Sequence, residues 1–510
     1  MKIWPGLRCG KIVCPPSKSH VHRLLIASFL SGDTSLLEIE KSDCDDILAT
    51  KRCLKALAQD DREVVLDCGE SGSTLRFIAP IAAALGKQAQ FIKSGNLSQR
   101  PFLQYDKLEA REYVVSGDVS SQFATGLLFA LPLLKGDSRI VFSTPLQSRG
   151  YVQMTLDVLK CYGIMIEEQR DGFVVRGNQQ YKSPKIFAPE GDWSAAAFWL
   201  AMNALGSSIE LSPLNELSLQ PDAVAKELFV SPPSMIDVSE CPDLFPALAV
   251  RVAARKGTTT IIGIERLRVK ESDRVSAMED MLKRFGAEIE VTSSKFVVHG
   301  RGELFRSAKV DSYGDHRIVM AAVVGATFAD GPIEIDDSSC VKKSYAKFFE
   351  DFSSLSFVDE NHTSLAALSL GSNIEPRKAY LTKAVEELSR IPSTRVVIES
   401  SIIETKGVDV PREYEQDKFL NSAILLRTSL GVLEFSKKMH DIEDRLGRVR
   451  VIKNGPRTVD IDLIEFDDLE INTDELVLPH PRAAIRDFVR VPLAEIGHHI
   501  KTRGGTCPTA

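Results

Sequence analysis

The stretch SKSHVHRLLIASFLSGDTSLLEI, residues 17–39, decides how the rest of the chain is read. A polar motif opens it, an apolar run of helical length follows, a turn containing Gly closes that run, and a strand-like tail ends the unit. The same grammar recurs. Polar openings stand at SKSHVHR (Ser17), SGSTLR (Ser71), VSSQFAT (Val119), GDWSAAA (Gly191), CPDLFPA (Cys241) and GDHRIVM (Gly314). The turn-and-strand halves read GDTSLLEI, GKQAQFI, GDSRIVF, GSSIELS, GTTTIIGI and GPIEIDD. Helices alternating with strands in six such units predict an α/β architecture.

The openings are 54, 48, 72, 50 and 73 residues apart. The long units, beginning at 119 and 241, have room for an extra hairpin, IEEQRDGFVVRG and IEVTSSKFVVHG. Most units also carry an amphipathic helix, such as RVSAMEDMLKRFGAEIE at 274–290. The units at 17, 71 and 191 are about 20 residues shorter, with little room for such a hairpin. The repeat stops near Leu355, and SSLSFVDENHTS at 353–364 reads as a polar linker. Beyond it come strand AALSLGSN, helix 377–390, strands RVVIESSIIET and FLNSAILLRT, helix 432–446 and strand VDIDLIEF. That β-α-β-β-α-β order predicts an α+β ferredoxin-like domain over 365–497. The last stretch, 498–510, reads as a disordered tail.

With 510 residues, 44% hydrophobic and 26% charged, the chain is globular rather than fibrous or disordered. A net charge of -7 supplies no general field toward nucleic acid or an anionic membrane. The longest apolar runs, such as Phe123 to Leu134, are too short to cross a bilayer. MKIWPGLRCGKIVCPP lacks the apolar core of a signal peptide. Nine cysteines with no C-x-x-C suggest neither a disulfide framework nor a zinc site, and the expected compartment is a reducing cytoplasm.

Each polar opening lies where an apolar helix begins, and helix N-termini favour phosphates and carboxylates. Lys18, Arg23, Arg100, Arg149, Lys270, Arg274, Arg317 and Lys343 lie in or beside the openings. Helix capping alone accounts for any one motif. As a set, with acids beside bases in VKESDR and GDHR, they predict a cleft for a multiply anionic small molecule. In the C-terminal part, Asp460 and Asp462 alternate on a strand and point to one face. Two such carboxylates suit magnesium, which shares its shell with substrate phosphates. Arg448, Arg450 and Arg457 stand upstream, placed to neutralise a triphosphate.

The ordered set SKSHVHR, SGSTLR, QRP, VSSQFAT, RVKESDR and GDHR resembles the enolpyruvyl transferases of the 5-enolpyruvylshikimate-3-phosphate (EPSP) synthase family. The resemblance covers 1–355. It implies two lobes of inverted α/β repeats, lobe A from 1–16 plus 193–355 and lobe B from 17–192. It implies transfer of enolpyruvyl from phosphoenolpyruvate to shikimate 3-phosphate, by addition and elimination without a metal. Lys18, Asp243 and Glu271 are the implied catalytic residues, Glu271 as proton donor to the methylene carbon and Asp243, beside Lys18, as partner of the attacking hydroxyl. Lys18, Ser19, Arg23, Ser120, Ser121, Gln122, Ser148, Asp243, Lys270 and Lys343 are implied to hold shikimate 3-phosphate, with Tyr151 lining its pocket. Lys18, Gly72, Arg100, Gln122, Arg274, Arg317 and Lys343 are implied to hold phosphoenolpyruvate. Glu70 stands where the family usually has Asn, and Arg266 replaces a neutral polar residue.

LGSN at 370–373, FLN at 419–421, GPRTVDIDLIEF and PHPR leading into IRDFVRVPLAEI resemble 6-hydroxymethyl-7,8-dihydropterin pyrophosphokinase. That resemblance implies two Mg²⁺ on Asp460 and Asp462, and ATP held by Glu443, Arg448, Arg450, Arg457, His480 and Arg486. The pterin would lie between Phe419 and Phe488, read by Asn421 and by backbone near Thr405. Val451 and Asn454 stand where that family often has Lys and Trp. The whole chain then reads as a bifunctional enzyme acting on small molecules, with neither nucleic acid nor membrane as partner. Two alternatives stay open: a degenerate N-terminal scaffold before an active pyrophosphokinase, or a transferase of the UDP-N-acetylglucosamine type.

Overall fold

A computed structural model describes residues 1–40, 43–184, 188–359, 364–408, 417–448, 455–473 and 475–501. The apolar runs behind the polar openings are helices: Lys18–Leu30, Gly72–Ala84, Ser121–Ala130, Trp193–Ala204, Phe245–Ala253 and His316–Thr327. Every residue of His316–Thr327 is buried, so this helix is packed all round and not amphipathic. Two of the helices touch backbone to backbone. Pro80 has no N–H for the Arg76 carbonyl four residues back, and Gly126 of the neighbouring helix packs against that same carbonyl. A Cβ at Gly126 would lie 2.3 Å from it.

Five of the expected turn-and-strand halves form strands, at Gln88–Ile92, Ser138–Phe142, Ser208–Ser212, Gly257–Ile262 and Ile333–Ile335. The first does not: Ser35–Leu37 is a 3-10 turn. Asp33 Oδ1 accepts from the Ser35 amide at 3.1 Å and the Ser35 hydroxyl at 2.6 Å, and this local bonding displaces the strand. The long units carry their hairpins, Ile166–Gln169 with Gly172–Val175 and Glu288–Val291 with Lys295–Gly300. Each hairpin completes a four-stranded sheet, with Glu112–Val115 beside Ser138–Phe142 in one and Met235–Asp237 beside Gly257–Ile262 in the other. In the short units, Glu63–Asp67 and Gln88–Ile92 pair in parallel as a sheet of two, and its Val65 and Ile92 stay exposed. Ser356–Phe357, Arg8–Val13 and Ser208–Ser212 make a sheet of three.

That last sheet corrects the reading of 356–364 as plain linker, because Ser356 and Phe357 pair with Cys9 and Arg8. Phe357 is fully buried, with the Arg8 and Arg395 guanidinium groups over its ring at 3.8 and 4.2 Å. His498 and Lys501, read as part of a disordered tail, are held against Glu465. His498 Nε2 lies 2.6 Å from Glu465 Oε2 and the Lys501 amide donates to Glu465 Oε1 at 2.7 Å, while 502–510 lie outside the described residues.

The C-terminal part follows the ferredoxin-like order, Thr394–Glu399, Phe419–Thr428, Ser364–Ser372, Asp460–Phe466 across the sheet. Helices Arg377–Ser389 and Val432–Arg445 lie on one face, buried against Leu368, Leu370 and Ile424. The run 395–405 breaks in two, with Ile403–Thr405 pairing separately to Phe419–Asn421. The sheet does not stop at its own edge. Thr394–Glu399 pairs with Lys2–Ile3, which pairs with Ile333–Ile335, which pairs with Lys309–Val310, so eight strands form one sheet across both halves. One apolar cluster lies within residues 21–181, and a second unites Met1–Ile12, residues 195–357 and one face of the C-terminal sheet. Among the described residues, no helix is long and apolar enough to cross a membrane.

Candidate active sites

The first site is a cleft between these two apolar clusters, walled by the polar openings. Several motif residues serve as caps as well. Ser71, Ser120, Asp192, Asp273 and Asp315 accept from the first amides of their helices. The residues beside the caps face the cleft: Lys18, Ser19, Arg23, Gly72, Arg100, Ser120, Ser121, Gln122, Ser148, Tyr151, Asp243, Lys270, Glu271, Arg274 and Arg317 all line one cavity.

Arg274 is the hub. Its side chain is 1% exposed, and Nη1 reaches Asp243 Oδ1 at 2.8 Å, Nη2 reaches Glu271 Oε2 at 2.7 Å and Nε reaches Asp315 Oδ2 at 2.8 Å. Arg317 Nη2 and Lys270 Nζ add to Asp243 at 3.2 and 3.6 Å. Burial pushes the Asp243 carboxyl up, but Arg317, Lys270 and Arg274 outweigh it and hold it well below the usual carboxylate range. Glu271 obeys the same balance: burial raises it, and Arg274, Arg100 and Lys343 hold it well down. With the cleft cations facing only the protein's own acids, both groups are therefore carboxylates.

Residues 96 and 100 also reach this hub. Arg100 Nη1 lies 3.4 Å from Glu271 Oε1, and Asn96 Nδ2 donates to the Glu271 carbonyl at 2.7 Å. A Cβ at Gly72 would lie 2.8 Å from Arg76 Nη1 and 3.2 Å from the Arg100 guanidinium, so only Gly leaves those cations clear. Arg23 is buried and braced by Thr155 Oγ1, the Ser19 carbonyl and the Tyr151 carbonyl at 2.9, 2.6 and 2.8 Å. Burial pulls its guanidinium down to about 10.

Three placements differ from expectation. The carboxylate paired with Lys18 is Asp46, at 2.7 Å, rather than Asp243. Lys343 is not among the lining residues; its Nζ bonds Glu70 Oε2 at 3.1 Å. Arg149 turns outward to Glu168 and leaves only its amide near the cleft, donating to Glu240 Oε2 at 2.8 Å.

The cleft also contains groups to which the sequence assigns no role, Arg266 being noted only as a replacement. Arg76 Nη1 donates to Gln122 Oε1 at 2.6 Å, and Arg266 Nη2 donates to Ser148 Oγ at 2.9 Å. His316 lines the cavity, and among the described residues neither ring nitrogen has a hydrogen-bond partner. Burial, then Lys18 and Arg317, hold its imidazole well below the usual range, so it is neutral. Behind Tyr151, whose hydroxyl donates to Asp222 Oδ2 at 3.0 Å, burial and Asp243 push the Asp222 carboxyl up to about 6. His316 and Arg76 stood inside quoted motifs, GDHR and SGSTLR. Asp46 and Asp222 carried no signal.

The second site is a cavity in the C-terminal part, lined by Thr405, Phe419, Asn421, Arg448, Arg457, Asp460, Asp462, His480, Arg486 and Phe488. Lys406 and Arg482, not anticipated, line it too. Asp460 and Asp462 flank buried Ile461 and sit opposite Gly371 and Ser369. Arg448 and Arg457 both pair with Asp460. Burial, then Asp460 and Glu443, push the Asp462 carboxyl up to about 7. Such an excess of negative charge suits a cation. Among the described residues no group of three or more His, Cys, Asp or Glu is placed to hold a metal ion. Glu443 lies behind the cavity, accepting from the Ile461 amide at 2.7 Å and pairing with Arg448. Asn421 Nδ2 donates to Thr405 Oγ1 at 2.9 Å. Arg450, Val451 and Asn454 lie outside the described residues.

Residues 92–352 match the family model for EPSP synthase (3-phosphoshikimate 1-carboxyvinyltransferase), and 367–498 match that for 7,8-dihydro-6-hydroxymethylpterin-pyrophosphokinase. A 3-phosphoshikimate 1-carboxyvinyltransferase of Clostridium kluyveri is 38% identical over 412 residues, covering 68% of this chain and 95% of that protein. One from Clostridium perfringens strain SM101 is 36% identical over 417 residues, covering 69% and 97%. Among solved structures, an EPSP synthase from Acinetobacter baumannii superposes with a TM-score of 0.54 at 20% identity, over 69% of this chain and 96% of that one.

Proposed function

The chain belongs to the EPSP synthase family and ends in a hydroxymethylpterin pyrophosphokinase domain, and from that premise we propose that both halves are active. The first reaction joins phosphoenolpyruvate to shikimate 3-phosphate and releases phosphate. The second moves a pyrophosphoryl group from ATP to 6-hydroxymethyl-7,8-dihydropterin and releases AMP. We assign lobe A to 1–16 plus 193–355, lobe B to 17–192, the connection to 356–364 and the second enzyme to 365–497.

One observation supports the transferase above the rest: Arg274 gathers Asp243 and Glu271 into the same cleft as the serines of lobe B. Ser120, Ser121, Ser148 and Lys270 take the 3-phosphate. Arg100, Arg274, Arg317 and Lys18 take the two anionic groups of phosphoenolpyruvate, as planar guanidinium forks do well. Once those anions neutralise Arg274 and Arg100, burial dominates Glu271 and lifts it toward a proton-donating range. The 5-hydroxyl passes its proton to Asp243 as its oxygen bonds the central carbon of phosphoenolpyruvate, and Glu271 protonates the methylene. Glu271 then takes a methylene proton back, the double bond re-forms, and phosphate leaves with the proton held by Asp243. Neutral His316 supplies a dipole beside Glu271.

In the second site the donor set fits Mg²⁺, two ions by our reading, held by Asp460 and Asp462. When bound they neutralise the triphosphate during transfer. Arg448, Arg457, His480 and Arg486 orient its phosphates, while Phe419, Phe488 and Asn421 position the pterin hydroxymethyl. We place the enzyme in the cytoplasm, which suits cysteines kept as thiols.

The test is phosphate release by the purified chain with both substrates in EDTA, then AMP formation once Mg²⁺ is added. Release that needs both substrates and survives chelation is expected. AMP formation without phosphate release would leave the first 355 residues a scaffold, and inhibition by UDP-N-acetylglucosamine would favour the other transferase type.

A further inference from the structure

The C-terminal domain is built into lobe A rather than tethered to it. The third sheet of lobe A has only short strands, Lys309–Val310, Ile333–Ile335 and Lys2–Ile3, and its open edge is filled by Thr394–Glu399 in antiparallel register, Lys2 opposite Glu399 and Ile3 opposite Ile398. Lys2 Nζ meets the buried Glu399 carboxylate at 3.2 Å. The face of the C-terminal sheet away from its two helices is apolar, and Val397, Leu425 and Ile464 join the same buried cluster as Ile333 and Phe352.

Polar contacts seal the seam. Arg427 Nε and Nη2 donate to the Leu355 and Ser354 carbonyls at 3.1 and 2.8 Å, and Ser353 Oγ donates to the Ile496 carbonyl at 3.0 Å. At Gly497 the backbones are so close that a Cβ would lie 2.2 Å from the Glu350 amide nitrogen. Unpaired strand edges and apolar sheet faces are unstable in water, so each half lacks what the other provides.

We infer that lobe A and the C-terminal domain form one cooperative folding unit, in which the C-terminal sheet is a structural layer of the first enzyme. A defect far from the seam therefore spreads across it. Leu388 lies in a separate apolar cluster on the opposite face of the C-terminal sheet, which among the described residues lobe A enters only through the partly buried Trp4. In the full chain, Leu388→Ala is expected to lower hydrogen-exchange protection of Ile333–Ile335 and of Ser364–Ser372 together, by the same factor. Both activities then lose heat resistance in parallel. Loss of protection confined to the C-terminal domain, with Ile333–Ile335 unchanged, would overturn the inference. If Leu388→Ala does not fold, Ile391→Val tests the same face with a smaller cavity. The exchange readout needs neither activity, so it stands apart from the functional reading above.

Discussion

Lys343 Nζ and Glu70 Oε2 meet at 3.1 Å beside the cleft, the lysine almost buried and the glutamate half exposed. A cation that the sequence resemblance assigns to substrate anions is thus paired with the protein's own carboxylate. Replacing Glu70 with Gln keeps the shape and removes the competing charge. The expected result is a phosphoenolpyruvate KM lowered about fivefold, equivalent to ~1 kcal/mol, with kcat nearly unchanged. Steady-state kinetics at fixed shikimate 3-phosphate measures it. A raised KM would mean that the pair organises the site instead.

Arg274 and Arg100 hold Glu271 as a carboxylate against its burial, and in the proposed mechanism it becomes an acid when substrate anions engage those groups. Glu271→Gln keeps the hydrogen-bond geometry but cannot transfer a proton. It should cost about 10²–10⁴ in kcat while leaving substrate binding close to wild type. Single-turnover phosphate release with binding by fluorescence or calorimetry separates the two, and a pure KM effect would count against the role.

Asp462 lines the second cavity and not the first. Asp462→Ala should abolish Mg²⁺-dependent AMP formation and leave phosphate release intact, measured on the same preparation. Retained AMP formation would place the cation elsewhere.

His22 is buried and neutral, its Nδ1 2.8 Å from Thr50 Oγ1, and burial drives its imidazole down to about 3. Since the unfolded chain takes up that proton near pH 6.5 and the folded chain does not, acid favours unfolding. The penalty is absent above about pH 6.5, grows by ~1.4 kcal/mol per pH unit below it, and levels off near the folded value. His22→Asn retains a partner for Thr50 and removes the titration. Urea unfolding at pH 7 and pH 5.5 should show a smaller loss in the variant, by ~1.4 kcal/mol. An equal loss would assign the acid sensitivity to other groups.

Gly126 admits the Arg76 carbonyl that Pro80 leaves free, at a spacing no side chain tolerates. Gly126→Ala should destabilise by about 1–3 kcal/mol through forced separation of the two helices. Denaturant unfolding measures it, and because Arg76 also holds Gln122 in the cleft, kcat/KM should fall as well.

What could be read in the chain and what could not divide along physical lines. Motifs at helix starts lead to most of the residues that line the cleft, because a helix N-terminus both caps and presents its neighbours. The three acids gathered by Arg274 come from positions 243, 271 and 315, and no local spacing encodes their meeting. Ser35–Leu37 misled through Asp33, whose side-chain bonding outweighed an apolar pattern. Phe357 looked like a lone apolar residue in a polar run, yet two guanidinium groups and a strand partner claim it. The filled edge at Lys2–Ile3 was least visible of all. A strand of two residues has no periodicity, and its partner lies almost 400 positions away.

That edge has a consequence for heredity. A stop codon after residue 355 would not release a free transferase; it would bare a strand that evolved with a neighbour on each side. Recombination that swaps the second enzyme for another must find one with the same edge, the same apolar face and a glycine where Gly497 meets Glu350. The seam binds two metabolic steps to a single chain, so that both are made in equal number whenever that chain is made.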